Sequence, residues 1–125
     1  MELKQKKFID GGYVKIILID KTDFRECKSF IRHLIKGHIS INDLPVLIDM
    51  HGVECYISLF EIFSIAKYLT SFQCILLNRI YIVVSDGRSL VTARFLQECL
   101  NSRGVDIHVS SMMDDVNEWL SHSVC

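Results

Sequence analysis

The 125-residue sequence has little proline and no excess of charge of either sign. Its single proline, Pro45, and the lack of any low-complexity stretch leave no candidate linker. The length therefore predicts one domain, large enough to bury a core of its own. Lysine and arginine total 14 against 15 aspartates and glutamates, for a formal net charge of -1. A nucleic-acid-binding protein needs clustered basic residues to contact phosphates, so the composition does not favour that class.

Cysteine is present, but not in a pattern typical of disulfides or metal centres. The five cysteines are Cys27, Cys55, Cys74, Cys99 and Cys125, with no C-x-x-C pair among them. Charged residues occupy the start of the chain, where a secretory signal peptide needs an apolar run. These features predict a cytoplasmic protein with free and mostly buried thiols. No histidine pair has zinc-ligand spacing and no glycine-rich nucleotide loop is present, so neither a metal, a cofactor nor an enzymatic activity is predicted.

The longest apolar stretch, residues 58–77, is long enough to cross a membrane. Glu61, Lys67 and Gln73 interrupt it at intervals. An amphipathic helix in the core of a globular domain is therefore predicted, and stable insertion into a membrane is not.

Strand and helix patterns alternate along the whole chain. Two runs rich in β-forming residues flank Asp10-Gly11-Gly12, which predicts a hairpin because a tight turn needs the positive φ that glycine adopts easily. The other predicted elements are helices at 22–37, 58–71, 89–103 and 114–121, and strands at 46–49, 79–85 and 105–109. The order β-β-α-β-α-β-α-β-α, with apolar strands, predicts a single-domain α/β fold with a mixed, mostly parallel sheet and helices packed on it.

Polar residues are expected at the carboxyl edge of this sheet, where open α/β sheets bind ligands. Asp20, Asp49 and Asp86 each follow a predicted strand, and Ser110 and Ser111 follow the last one. The acids could together hold Mg²⁺, and the serines with the helix N-termini could hold a phosphate or carboxylate. The third interpretation, which we adopt, is that these residues stabilise turns and helix starts.

Ser58 precedes the second predicted helix and has a structural explanation. Ser58 and Glu61 form an S-x-x-E capping box, and Ile57 and Ile62 are spaced as its hydrophobic staple. Capping alone accounts for a serine at this position.

The surrounding segment, LIDMHGVECYIS, also resembles the signature of STAS domains (sulfate transporter and anti-sigma-factor antagonist). Asp49, Gly52 and Val53 match the signature, and Ser58 falls on the serine that regulatory members phosphorylate. The resemblance thus makes Ser58 a candidate phosphoacceptor or anion site. The chain departs from the signature with Ile57 in place of an acid and with Leu59-Phe60 in place of small residues.

The chain as a whole is similar to the STAS-fold subgroup called SpoIIAA-like, which is also likened to lipid-binding Sec14-type domains. The segments that carry this similarity are the opening hairpin, PVLIDMHGV, RIYIVVSDG, ARFLQECLNSRGVDIHV and DDVNEWL. The resemblance implies a mixed sheet covered by helices, a cytoplasmic location and no established catalytic residue.

The helix predicted at 58–70 is more apolar than one sheet contact requires. Its apolar residues cover an arc of roughly 220° at 100° per residue, whereas packing on one sheet needs little more than 100°. The excess has three interpretations: burial under a neighbouring helix, a self-association face, or the wall of a groove for an apolar ligand. We expect a non-enzymatic, STAS-type regulatory module that binds a protein partner or itself, as a homodimer with Phe60 or Ile65 near the interface centre. The alternative function is a carrier or sensor of a small apolar or lipid-like ligand.

Overall fold

A computed structural model of the chain describes residues 2–9, 12–37, 45–71 and 79–123. The strands and helices in these ranges follow one another in the order predicted from the sequence. They are β1 (Glu2–Ile9), β2 (Tyr13–Thr22), α1 (Phe24–Gly37), β3 (Val46–Cys55), α2 (Leu59–Thr70), β4 (Ile80–Val84), α3 (Arg88–Asn101), β5 (Ile107–Ser110) and α4 (Asp114–Ser123). Asp10 and Gly11 of the predicted hairpin turn, and Cys74 and Cys125, lie outside the described residues.

The five strands form one sheet in their sequence order, β1-β2-β3-β4-β5. β1 pairs antiparallel with β2, and all the other neighbours are parallel. The predicted mixed, mostly parallel sheet is therefore confirmed. A parallel sheet built in sequence order, with right-handed crossovers, places its connecting helices on one face. Helices α1, α2 and α3 accordingly contribute to one hydrophobic core, and α4 to another.

Alternation along the central strands divides the apolar residues between these two cores. Every residue of β4 is buried: Ile80, Ile82 and Val84 belong to the core beneath α1–α3, while Tyr81 and Val83 pack with α4. A strand that is covered on both faces needs apolar residues at successive positions, and this explains the sequence RIYIVVS.

Strand β3 is longer than predicted, because it runs through Gly52 to Cys55 instead of ending at Asp49. The pairing of β2 with β3 shifts register between Ile17 and Ile19 and then continues to Thr22 and Cys55. A Cβ atom at Gly52 would lie 3.4 Å from Cγ2 of Ile19. Gly52 pairs with Ile19, so the strand continues through this glycine, and a side chain there would be in van der Waals contact with β2.

Candidate functional site

Among the residues that the structure describes, the largest group of exposed apolar side chains lies at the start of α2. Four large side chains within residues 56–63 are exposed, with 51% of Tyr56, 50% of Leu59, 79% of Phe60 and 41% of Phe63 accessible to solvent. We call these four residues the α2 surface.

Packing of α2 on the sheet determines which of its apolar residues face outward. The helix buries Ile62, Ile65, Ala66 and Leu69, which recur at helical spacing. The expectation that Ile65 lies near the centre of an interface is wrong, because its side chain is completely buried within the domain. The wide apolar arc combines a core face with an outward stripe, and Ile65 belongs to the core face. Phe60 is on the outward stripe, as an association surface would require.

A capping box fixes the start of α2. The backbone N–H of Glu61 donates to Ser58 Oγ at 3.2 Å, and the backbone N–H of Ser58 donates to Glu61 Oε1 at 3.0 Å. Ile57, which precedes the cap, is buried, as the staple requires. The predicted capping role of Ser58 is confirmed. Its side chain is also exposed, and phosphorylation there remains a prediction.

Charged groups lie around the edge of the α2 surface. The Arg103 guanidinium lies 5.2 Å from the ring centroid of Phe63, and the Lys67 ammonium lies 5.9 Å from the same ring. Both distances are within the range of cation–π attraction. The Tyr56 hydroxyl donates to Glu54 Oε2 at 2.8 Å, and this hydrogen bond raises the pKa of Tyr56. The surface is thus an apolar patch with a polar rim, which is typical of protein interfaces.

A second feature is a cavity of about 110 Å³ between the sheet and helices α1–α3. Its walls include Ile48 and Val84 from the sheet, Ile62 and Ile65 from α2, and Ala93 and Leu96 from α3. Helix α2 therefore borders the cavity with its buried face and carries the α2 surface on its exposed face.

Among the described residues, the polar side chains that line the cavity are the hydroxyls of Thr22, Ser89 and Thr92 and the thiols of Cys27 and Cys55. The Thr22 hydroxyl donates to the backbone oxygen of Asp23 at 3.3 Å. Burial raises the pKa of Cys27 to about 12, with further contributions from nearby Cys55 and Asp23. Burial also raises the pKa of Cys55, partly offset by a backbone hydrogen bond from Ile57. Both thiols are consequently protonated at neutral pH and are poor nucleophiles and metal ligands.

The predicted carboxyl-edge acids do not lie together. Asp20 and Asp49 are inside strands: Asp20 pairs with Val53, four residues further along β3 than Asp49. At about 3.3 Å per residue, that offset is more than about 10 Å, too far for two ligands of one metal ion. Asp86 alone follows its strand, in the exposed turn before α3. Among the described side chains, no group of three or more His, Cys, Asp or Glu is placed to hold a metal ion.

Asp49 and Ser110 each have local structural partners. Asp49 Oδ1 accepts from the backbone N–H of His51 at 3.1 Å and lies 3.6 Å from its Nδ1. Ser110 Oγ donates to Asp115 Oδ2 at 2.8 Å and accepts from the backbone N–H of Met112 at 3.0 Å. The Ser110 bonds stabilise the entry into α4, and the Asp49 bonds are local to β3. Ser111, next in the chain, is half-buried.

The cavity and Tyr56 were not anticipated from the sequence. No periodicity reports the volume left between packed elements, so the cavity has no sequence signal. The signal for Tyr56 is its position beside the buried Ile57, because neighbours in an extended segment face opposite ways.

No protein-family model and no curated protein matches the sequence. Within the described ranges, no helix combines the length and hydropathy that crossing a bilayer requires.

Proposed function

We propose that this chain is a non-enzymatic regulatory module of the STAS type that acts by protein association, in the first place with a second copy of itself, through the α2 surface. The observation that carries the proposal is the exposure of Phe60, of which 79% is accessible to solvent, close in sequence to three other exposed apolar side chains. The order of strands and helices agrees with the same type of domain. The cytoplasmic location predicted from the sequence belongs to this proposal.

The physical argument begins with the cost of leaving the α2 surface in water. A contiguous exposed patch of large apolar side chains usually marks an interaction site. The chain's formal net charge of -1 gives copies little electrostatic repulsion. The commonest solution for such a patch is a two-fold dimer, in which the patch pairs with itself. Phe60, the most exposed of the four, is then expected to be the anchor of the interface.

Ser58 offers a way to regulate this association. Its exposed hydroxyl immediately precedes Leu59 and Phe60 of the α2 surface. A phosphate there would add about 1.5 to 2 negative charges beside an apolar interface, which opposes association by the cost of desolvating them. The proposed phosphoacceptor and the proposed interface therefore belong to one mechanism.

Sedimentation velocity over a wide range of protein concentrations tests the proposal. We expect the wild type to shift from monomer towards dimer as concentration rises, and Phe60→Glu to stay monomeric. Met112→Glu is the matched control, because Met112 is 57% exposed but lies on the segment before α4. It should associate like the wild type. A wild type that is monomeric at every concentration would refute self-association.

Thermal unfolding separates an interface effect from a folding defect. Phe60 is mostly in solvent, so Phe60→Glu should unfold at nearly the temperature of the wild-type monomer. Loss of association together with loss of the folded state would show that Phe60 acts within the domain, and the proposed interface would then be wrong.

A further inference from the structure

We infer that the cavity between the sheet and helices α1–α3 is a binding site for a small, neutral, apolar molecule about the size of a benzene ring. The inference goes beyond the proposed association and does not depend on it, because the cavity lies within the core and the α2 surface lies outside it.

The size of the cavity is the first argument. Protein interiors are packed as densely as organic crystals, with few voids larger than a water molecule. The present cavity measures about 110 Å³. In another protein, an engineered apolar cavity of about 150 Å³ stays dry and binds benzene. A cavity only somewhat smaller can accept one six-membered ring, with modest movement of flexible wall residues such as Met50.

Water is a poor occupant of this space. A buried water molecule is stable only where it makes two to four hydrogen bonds. Among the residues that the structure describes, no charged or amide side chain lines the cavity, and its inner surface is apolar although Ser89 and Thr92 join Thr22 in the lining. The Thr22 hydroxyl already donates to a backbone oxygen, and the Cys27 and Cys55 thiols are weak hydrogen-bonding groups.

The same lining determines the chemical class of the ligand. A charged or strongly polar group would lose its hydration here without gaining a partner, which is unfavourable. Phosphates, carboxylates and lipid headgroups are therefore excluded from the cavity. A neutral hydrocarbon ring, or a short hydrocarbon group, recovers the dispersion contacts that the empty space lacks.

Helices α1 and α3 provide thinner walls than α2. Cys27 and Phe30 line the cavity from α1, Ala93 and Leu96 line it from α3, and all four are only half-buried. Ile62 and Ile65 line it from α2 and are completely or almost completely buried. A ligand is therefore expected to enter beside α1 or α3.

Thermal unfolding with benzene and phenol tests this site. At ten times its dissociation constant, a ligand of the native state alone raises the folded-to-unfolded ratio about elevenfold, which appears as a higher melting temperature. We expect benzene to raise the melting temperature of the wild type. Phenol has the same ring with one hydroxyl that finds no partner, and should bind about tenfold or more weakly.

Variants that fill the cavity locate the binding. Ala93→Leu should abolish the benzene effect, and Val84→Ile, a milder change in case the first variant does not fold, should weaken it. The matched controls are Arg94→Leu, at an exposed position of the same helix, and Val83→Ile, in the core beneath α4. Both controls should keep the wild-type response. No response in the wild type, an equal response to phenol, or an undiminished response in Val84→Ile would each overturn the inference.

Discussion

Val83 and Val84 are adjacent on β4 and equally hidden from solvent, but they border different interiors. Val84 belongs to the core beneath α1–α3 and forms part of the cavity wall. Val83 is completely buried in the second core, where it packs with Leu47 and Val116. The cavity described above therefore borders Val84 and not Val83.

This difference predicts opposite effects for one substitution. Val84→Ile adds a methyl group that can occupy the cavity, and we expect it to raise the free energy of unfolding by up to about 0.8 kcal/mol. Val83→Ile adds the same group at a completely buried site outside the cavity lining and should lower it by about 1 to 3 kcal/mol. Urea unfolding of both variants measures the change. Equal destabilisation would show that the volume beside Val84 is not available.

Ile65 and Phe60, the two residues expected at an interface from the sequence, should differ sharply in their effect on folding. Ile65 is completely buried, so Ile65→Ala should lower the free energy of unfolding by about 2 to 5 kcal/mol. Phe60→Ala should change it by no more than about 0.5 kcal/mol, since Phe60 is mostly in solvent. Denaturant unfolding at low protein concentration, where association does not contribute, compares the two variants. Similar losses of unfolding free energy in the two variants would contradict the burial of Ile65 and the exposure of Phe60.

The contrast between these two residues shows what the sequence could specify. Helical periodicity correctly indicated an apolar arc wider than one sheet contact needs, and the element order was confirmed. Periodicity does not indicate which part of the arc faces the sheet, because this depends on how the helix is rotated against its neighbours. Ile65 was therefore assigned to the wrong part of the arc.

Side-chain capping was easier to predict from the sequence than the extent of a strand or the presence of a cavity. The capping box of Ser58 follows from sequence spacing alone. The continuation of β3 beyond Asp49 through Gly52 did not, because a glycine in a turn and a glycine within a strand look alike in sequence. The cavity depends on how the side chains of the sheet and of helices α1–α3 fill the space between them, and this is determined only when these elements pack together.

The capping box of Ser58 predicts a graded response to substitution. Ser58→Ala removes the acceptor for the Glu61 N–H and should lower the free energy of unfolding by about 1 kcal/mol. Ser58→Asp supplies another good cap and should largely retain it. Ser64→Ala, in the same helix, is the control: the Ser64 hydroxyl bonds only to the Phe60 backbone oxygen of the preceding turn at 3.4 Å. It should be neutral or slightly stabilising, since alanine favours a helix interior. Equal losses from Ser58→Ala and Ser64→Ala would argue against a specific cap.

Cys27 predicts a loss of stability at alkaline pH. Burial raises its pKa from the ordinary value of 9.0 to about 12 in the folded protein. Between these values the folded state keeps a proton that the unfolded state releases, so stability is complete below about pH 9 and falls as the pH rises towards 12. The expected slope for this one thiol is about 1.4 kcal/mol per pH unit.

Unfolding of the wild type and Cys27→Ala at a series of pH values from 7 to 11 measures this effect. Cys55, Tyr56 and Tyr81 also have raised pKa values and contribute a slope of the same sign to both proteins. The difference between the two curves therefore gives the contribution of Cys27 together with its interaction with Cys55. Cys27→Ala should start lower, because it removes packing at the cavity wall, and should approach the wild type as the pH rises above 9. Curves that stay parallel across this range would mean that the Cys27 thiol ionises as readily in the folded protein as in the unfolded chain.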